Sequence, residues 1–325
     1  MKALRSHGFD SLERIRLDEI PMPQPATGEL RVRLRASAVS FVDLLVAEGK
    51  YQLRPPLPFV PGSEFAGVVD AIGDGYQGPL RAGDRVCGSR FLGIWAEFAT
   101  VPAGVVRRID ESVPFEHASA LMMPYGTALY ALRERGQLRS GETVLVLGAA
   151  GSVGYAAVQV ARALGAHVIA ATTSAAKRAA LLEAGAHEVV DVADPQWKDA
   201  VKAMTGAGGV DVVVDPLGGD YTDPAFRTLG WRGRHLVVGF AGGGIPALRS
   251  NLALLKGASL VGVDLRQFAE REPDSHAALL GDVVAMHGRG DLRPAIARAM
   301  PLERFGDAFA LVRDRSTIGR IVLTI

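Results

Sequence analysis

Apolar residues recur in two different rhythms along the chain. Over residues 29–39, "ELRVRLRASAV", apolar and polar positions alternate, the period of a half-buried strand. Proline and glycine punctuate the neighbouring sequence in "EIPMPQPATGE", "RPPLPFVPG" and "GDGYQGPLRAGD". Residues 1 to about 120 are therefore expected to form short strands with frequent turns, which suits a compact barrel-like domain.

Near residue 121 the rhythm changes. Short apolar runs follow one another: "TVLVL" (143–147), "HVIAAT" (167–172), "HEVVD" (187–191), "VDVVVD" (210–215), "RHLVVGF" (234–240) and "SLVGV" (259–263). Helix-patterned segments such as "SVGYAAVQVARAL" and "SAAKRAALLEA" lie between the early ones. This alternation predicts an α/β domain, a parallel sheet covered by helices on both faces, and six strands fit the doubly wound order. After about residue 260 mixed texture returns. "DSHAALLGDVVAMHGRG" reads as a helix ending at glycine, and "GRIVLTI" as a closing strand.

Length and composition narrow the function classes. A chain of 325 residues favours two domains over one small core. Hydrophobic residues make up 48% and charged residues 22%, a globular balance. The formal charge is +1, with no run of like charge, which argues against a nucleic-acid groove or a membrane patch. Cys87 is the single cysteine, so an internal disulfide or a Cys-rich metal cluster is excluded, and the histidines show no pair at ligand spacing. The opening "MKALRSHGFDSLERIRL" has no apolar signal core and no long hydrophobic span follows, so a cytoplasmic location is expected.

The most specific chemistry lies in "GAAGSVG", read as Ala149-x-Gly151-x-x-Gly154 with Gly148 just before it. An apolar strand precedes this turn, a helix follows, and a second strand comes at the right distance. Gly151 lets the backbone approach a pyrophosphate and Gly154 lets the helix pack close on the sheet. The amides of Ala150, Gly151, Ser152 and Val153 then face the phosphates at the positive end of the helix. The second strand runs into Thr172, Thr173 and Ser174, and no carboxylate appears before Glu183. Lys177 and Arg178 follow at once. A carboxylate would bind the ribose hydroxyls of NAD, whereas hydroxyls and a cation suit a 2′-phosphate, so NADPH is the expected cofactor. One of the two cations is expected to be no more than a solvated first-turn residue.

Seven segments carry a resemblance over essentially the whole length: "VSFVDLLVAEGKY" (39–51), "LPFVPGSEFAGVV" (57–69), "RAGDRV" (81–86), "MPYGTALYAL" (123–132), "SGETVLVLGAAGSVG" (140–154), "GVDVVVDPLGG" (209–219) and "GRIVL" (319–323). In this order the chain resembles the medium-chain dehydrogenase/reductase superfamily, in its zinc-free quinone-oxidoreductase branch. The resemblance implies a GroES-like catalytic domain built from residues 1–122 and 263–325, with a Rossmann domain over 123–262 inserted. It also implies a homodimer joined through the outer strand of the Rossmann sheet.

Site residues follow from the same resemblance. Ser40 and Ser63 match metal-ligand positions of zinc-dependent relatives, and serine is a poor zinc ligand, so no bound metal is expected. The four-cysteine structural-zinc lobe is also missing. Glu64 and Asp43 are expected to be structural acids. Tyr51 matches a tyrosine placed near the quinone, and Tyr125 and Ser40 are the other candidate hydroxyls. Thr127 resembles a position near the nicotinamide, and the backbone at Gly239 and Phe240 is expected to meet its amide. Arg266 could steer an anionic substrate. The leading expectation is an NADPH-dependent quinone reductase acting on a small molecule. Reduction of enone or enoyl-thioester double bonds is the alternative, and an NADPH-binding sensor with little turnover is a third reading.

Overall fold

The structure is a computed structural model and describes residues 1–314 and 317–325. Its strands, in chain order, are β1 (Lys2–Ser6), β2 (Ile15–Glu19), β3 (Glu29–Val39), β4 (Glu64–Ile72), β5 (Arg85–Ser89), β6 (Phe98–Pro102), β7 (Val106–Arg108), β8 (Thr143–Val146), β9 (His167–Thr172), β10 (Glu188–Asp191), β11 (Val210–Asp215), β12 (Leu229–Val237), β13 (Ser259–Gly262), β14 (Ile296–Pro301) and β15 (Arg320–Thr324).

The chain divides into two units. The first comprises Met1–Met123, Leu280–Val284 and Pro294–Ile325, and the second Pro124–Leu279 and Ala285–Arg293. The expected return to the first domain at residue 263 differs from this division. Residues 263–279 stay with the second unit because their apolar side chains pack there, with the Phe268 ring stacked on Tyr130 at 4.2 Å.

In the first unit the strands follow the order β14-β15-β3-β4-β5-β7, with β6 on β3. Both ends of the chain meet here, since β15 runs antiparallel to β3. Residues on β3 alternate between buried and accessible through Arg35, and Ala36 to Val39 are then all buried. The core gathers Leu30, Val32, Phe65, Trp95 and Phe309. Trp95 sets one backbone demand: a side chain on Gly62 would begin 2.2 Å from the indole, and Gly62 sits at φ +92°. Only glycine meets both conditions at low cost.

The second unit is a fully parallel six-stranded sheet in the order β10-β9-β8-β11-β12-β13. Counted within the sheet, that is the 3-2-1-4-5-6 order of a doubly wound dinucleotide-binding fold. The order reverses between β8 and β11, so loops leaving their carboxyl ends flank the switch point. Val144, Leu145 and Val146 on β8 and Val212, Val213 and Val214 on β11 are fully buried, which is why these strands read as unbroken apolar runs.

Candidate dinucleotide site and polar cluster

The glycine turn links β8 to the helix Ser152–Ala163. Gly148 adopts φ +54°, and the Gly151 amide bonds back to the Gly148 carbonyl at 2.9 Å. Gly151 is the helix N-cap, with extended backbone and no side chain to cap the first turn. The N-cap itself therefore contributes no side-chain hydrogen bond to the first turn. It buries Gly154, Ala156, Ala157, Val158, Val160 and Ala161, small residues that let it lie close on the sheet. Gly165, at φ +82°, ends it: the Gly165 amide bonds Arg162 and the Ala166 amide bonds Ala161.

At the end of β9, Thr172 is buried and its hydroxyl accepts from the Ser174 amide at 3.3 Å. Thr173 is exposed, and Ser174 and Lys177 are half-buried. Arg178 behaves differently. Its guanidinium donates to the Val189 carbonyl on β10 at 2.9 Å, so it braces the sheet edge.

Five further expected residues lie in this unit. Thr127 is half-buried on the helix Met122–Leu129, which runs directly into a π-helical turn at Tyr130–Arg135. Gly239 and Phe240 follow β12, with Phe240 exposed. Tyr125 is the candidate hydroxyl of this unit. It is 2% exposed, and its hydroxyl reaches Gln159 Oε1 at 3.2 Å. That same Gln159 oxygen accepts from the Arg293 amide at 2.7 Å. The Tyr125 hydroxyl is thereby tied to a residue of the helix Ser152–Ala163. Arg266, a possible steering cation, is paired with Glu270 at 2.7 Å and lies near Asp264 at 3.8 Å.

The first unit holds a polar cluster where the resemblance placed the serines. Ser40 caps the helix Phe41–Ala47 in a capping box: its hydroxyl accepts from the Asp43 amide and donates to the Asp43 carboxylate at 2.7 Å, while the carboxylate accepts from the Ser40 amide at 2.7 Å. Burial pushes the Asp43 carboxyl above the ordinary carboxylate range, against the pull of these Ser40 hydrogen bonds. Ser63 and Glu64 are also buried. Glu64 pairs with Arg320 of β15 and accepts from the Met123 amide at 2.8 Å. Burial raises the Glu64 carboxyl too, and the Arg320 guanidinium opposes that shift. Tyr51 is half-buried with its ring tilted against Phe91 at 5.7 Å.

Arg320 and Phe91 were not singled out by the sequence. An arginine inside an apolar closing strand is the available signal for Arg320, since a charge there is paired or costly. Phe91 sits in an irregular connection and carries no local signal. Among the described residues, no group of three His, Cys, Asp or Glu side chains is arranged to hold a metal ion.

Fold and turn together define a dinucleotide-binding dehydrogenase architecture with a GroES-like partner. Residues 26–111 match the alcohol dehydrogenase GroES-like domain family, and residues 152–280 match the family described as zinc-binding dehydrogenase. The mouse (Mus musculus) quinone oxidoreductase-like protein 2 is 37% identical over 91% of this chain and 85% of its own length. The quinone oxidoreductase from Thermus thermophilus, solved alone and in complex with NADPH, superimposes with a TM-score of 0.87 at 32% identity, each chain covered completely. A mycobacterial protein solved in complex with NADPH gives 0.92 at 30% identity, again over both whole chains. The chain belongs to the medium-chain dehydrogenase/reductase superfamily of oxidoreductases, among its quinone oxidoreductase-like members.

Proposed function

We propose that this protein is an NADPH-dependent, metal-free reductase that transfers hydride to a quinone in the cytoplasm. The observation that carries the reading is the glycine turn at the switch point of a 3-2-1-4-5-6 sheet, followed by a second strand that ends in hydroxyls and a lysine. Relatives named quinone oxidoreductase and neighbours solved with NADPH support it.

The residues present fit the cofactor. A side chain on Gly151 would begin 3.2 Å from the Gly148 carbonyl, so the turn is tight there and would have to give by a few tenths of an ångström to admit one. The amides of Ala150, Gly151, Ser152 and Val153 hold the pyrophosphate at the helix N-terminus. Thr173, Ser174 and Lys177 hold the 2′-phosphate, with Arg178 bracing the strand beside them. Thr127 and the backbone of Gly239 and Phe240 orient the nicotinamide.

Bound NADPH supplies a hydride from nicotinamide C4, and one proton completes the conversion of quinone to hydroquinone with release of NADP⁺. The Tyr51 hydroxyl donates to the quinone oxygen as charge develops there, its ring held by Phe91. The Ser40 hydroxyl donates to Asp43 and thereby caps the helix Phe41–Ala47. The metal-free reading rests on donor chemistry: Ser40 and Ser63 offer hydroxyls, Asp43 is bound to Ser40, and Glu64 is bound to Arg320.

The test is NADPH oxidation by purified protein, without added metal and with a chelator, using a simple quinone, a small enone and a short enoyl-CoA in parallel. Turnover with the quinone is expected. Turnover confined to the enone or the enoyl-CoA replaces the acceptor assigned here, and tight binding without turnover replaces catalysis with sensing.

A homodimer through β13 belongs to the same proposal. β13 is the outer strand of the sheet and Leu260 on it is exposed, as are Trp231, Leu254 and Leu255 nearby. An open strand edge flanked by apolar side chains is a surface that a second copy can cover. Sedimentation of the wild type as a dimer and of Leu260→Asp as a monomer is the expected outcome.

A further inference from the structure

A buried polar pair to which no role has yet been assigned lies beneath the loops that follow β11 and β12. His235 of β12 is fully buried, and Asp215 at the end of β11 is 1% exposed. The ring Nε2 lies 2.9 Å from Asp215 Oδ2. Asp215 has no unused acceptor to spare. Its Oδ1 accepts from the amides of Leu217 at 2.9 Å and Gly218 at 2.8 Å, and Oδ2 accepts also from the Thr222 hydroxyl at 2.7 Å. The other ring nitrogen, Nδ1, is buried and has no partner among the described residues. That orphan fixes the tautomer: Nε2 carries the proton and donates to Asp215, because a proton on Nδ1 would be a buried donor without an acceptor.

The consequence is carried upward by the backbone. The Asp215 carbonyl accepts from the amides of Val238 at 2.9 Å and Gly239 at 3.3 Å. Pro216 and Leu217 carbonyls accept from Ala241 at 3.1 Å and Gly242 at 2.7 Å, and the Gly219 amide donates to Gly244 at 2.9 Å. The Leu217 side chain abuts the glycine turn, where a Cβ on Gly148 would lie 2.9 Å from its methyl. Three loops at the carboxyl ends of β8, β11 and β12 are thereby locked together over one buried pair.

We infer that His235 and Asp215 are positioning residues for the dinucleotide, holding the 216–219 and 238–244 loops against the glycine turn in the geometry that receives it. This rests on the NADPH reading above. An aliphatic residue would fill the volume of the ring equally well, but only a donor at Nε2 keeps the carboxylate oriented toward the Leu217 and Gly218 amides. Gln is the variant that preserves a donor N–H near that position.

The test compares wild type, His235→Leu and His235→Gln as full chains. Affinity for NADPH is measured by fluorescence titration, turnover at saturating NADPH by absorbance, and exchange of the Leu217 and Gly218 amides by hydrogen exchange without cofactor. His235→Leu is expected to weaken NADPH binding about tenfold, the scale of one lost charge-assisted hydrogen bond. It is expected to keep kcat within about twofold and to speed exchange at both amides, while His235→Gln restores binding and protection. Equal NADPH affinity and equal amide protection in wild type and His235→Leu overturn the inference, as does failure of His235→Gln to recover either. Failure of the wild type itself to bind NADPH overturns the cofactor reading and this inference with it, so the two failures are told apart by the wild-type titration.

Discussion

Gly154 lies directly against Gly148: a side chain added at Gly154 would begin 2.2 Å from the Gly148 carbonyl oxygen. The contact is backbone to backbone, so no flexible group can give way. Gly154→Ala is therefore expected to displace the helix from the turn, abolish NADPH binding and lower the melting temperature of the second unit. Binding and melting unchanged from wild type would contradict this geometry.

Lys177 and Arg178 are expected to separate by function. Lys177→Ala should weaken NADPH about ten- to a hundredfold while leaving NADH within about threefold, the range of one charge-assisted hydrogen bond to a phosphate. Arg178→Ala should weaken the two cofactors alike and only slightly, because its guanidinium is spent on the Val189 carbonyl. Titrating both variants with both cofactors checks the assignment.

The Glu64–Arg320 pair joins β4 to β15 inside the first unit, with side chains 0% and 7% exposed. Arg320→Met leaves a buried carboxylate without its counter-charge and is expected to cost about 3–5 kcal/mol, read from denaturant unfolding. The double variant Glu64→Gln with Arg320→Met should recover part of that loss, because no charge is then left buried alone.

Asp215 gives a pH signature. Burial on its own would raise its carboxyl, but the His235 ring, the Gly218 amide and the Thr222 hydroxyl together hold it below the usual carboxylate range. A carboxyl whose folded pKa is depressed stabilises the fold above its unfolded pKa, about 3.9, and that contribution is lost as pH falls through the lower folded value. Apparent stability of the wild type should therefore hold steady on this account from pH 7 to about 5 and decline below about 4. In Asp215→Asn the decline below about pH 4 should be shallower, as followed by melting temperature against pH.

Much of the architecture was legible in the chain because burial on both faces writes itself as unbroken apolar runs. β8, β9, β10, β11 and β13 fall within a residue or so of the runs that announced them. β12 was less legible. It begins at Leu229, five residues before the apolar run, and stops at Val237, because Gly239 and Phe240 turn into the 238–244 loop. A tyrosine beside a proline and a glycine looks the same whether it faces a ligand or a core, and the hydrogen-bond partner of Tyr125, Gln159, is 34 residues away. Asp215 and His235 lie inside apolar strands and carry no local signal of their own. Their pairing is visible only once β11 and β12 stand side by side, since Val213, not Asp215, is the residue directly across from His235.

The pairing of β15 with β3 also has a consequence for how the chain is made. Leu323 sits opposite Ser37, so the central strand of the first sheet waits for a neighbour encoded nearly three hundred residues later. At a synthesis rate of about 5–20 residues per second, that wait is roughly 15–60 s on the ribosome. Throughout it, only the Ala36–Val39 end of that flank is open, because β6 already pairs Glu29–Arg33, and the inserted unit can complete its own sheet first. A nascent chain in this interval is a natural client for chaperones, and translation speed becomes a determinant of yield.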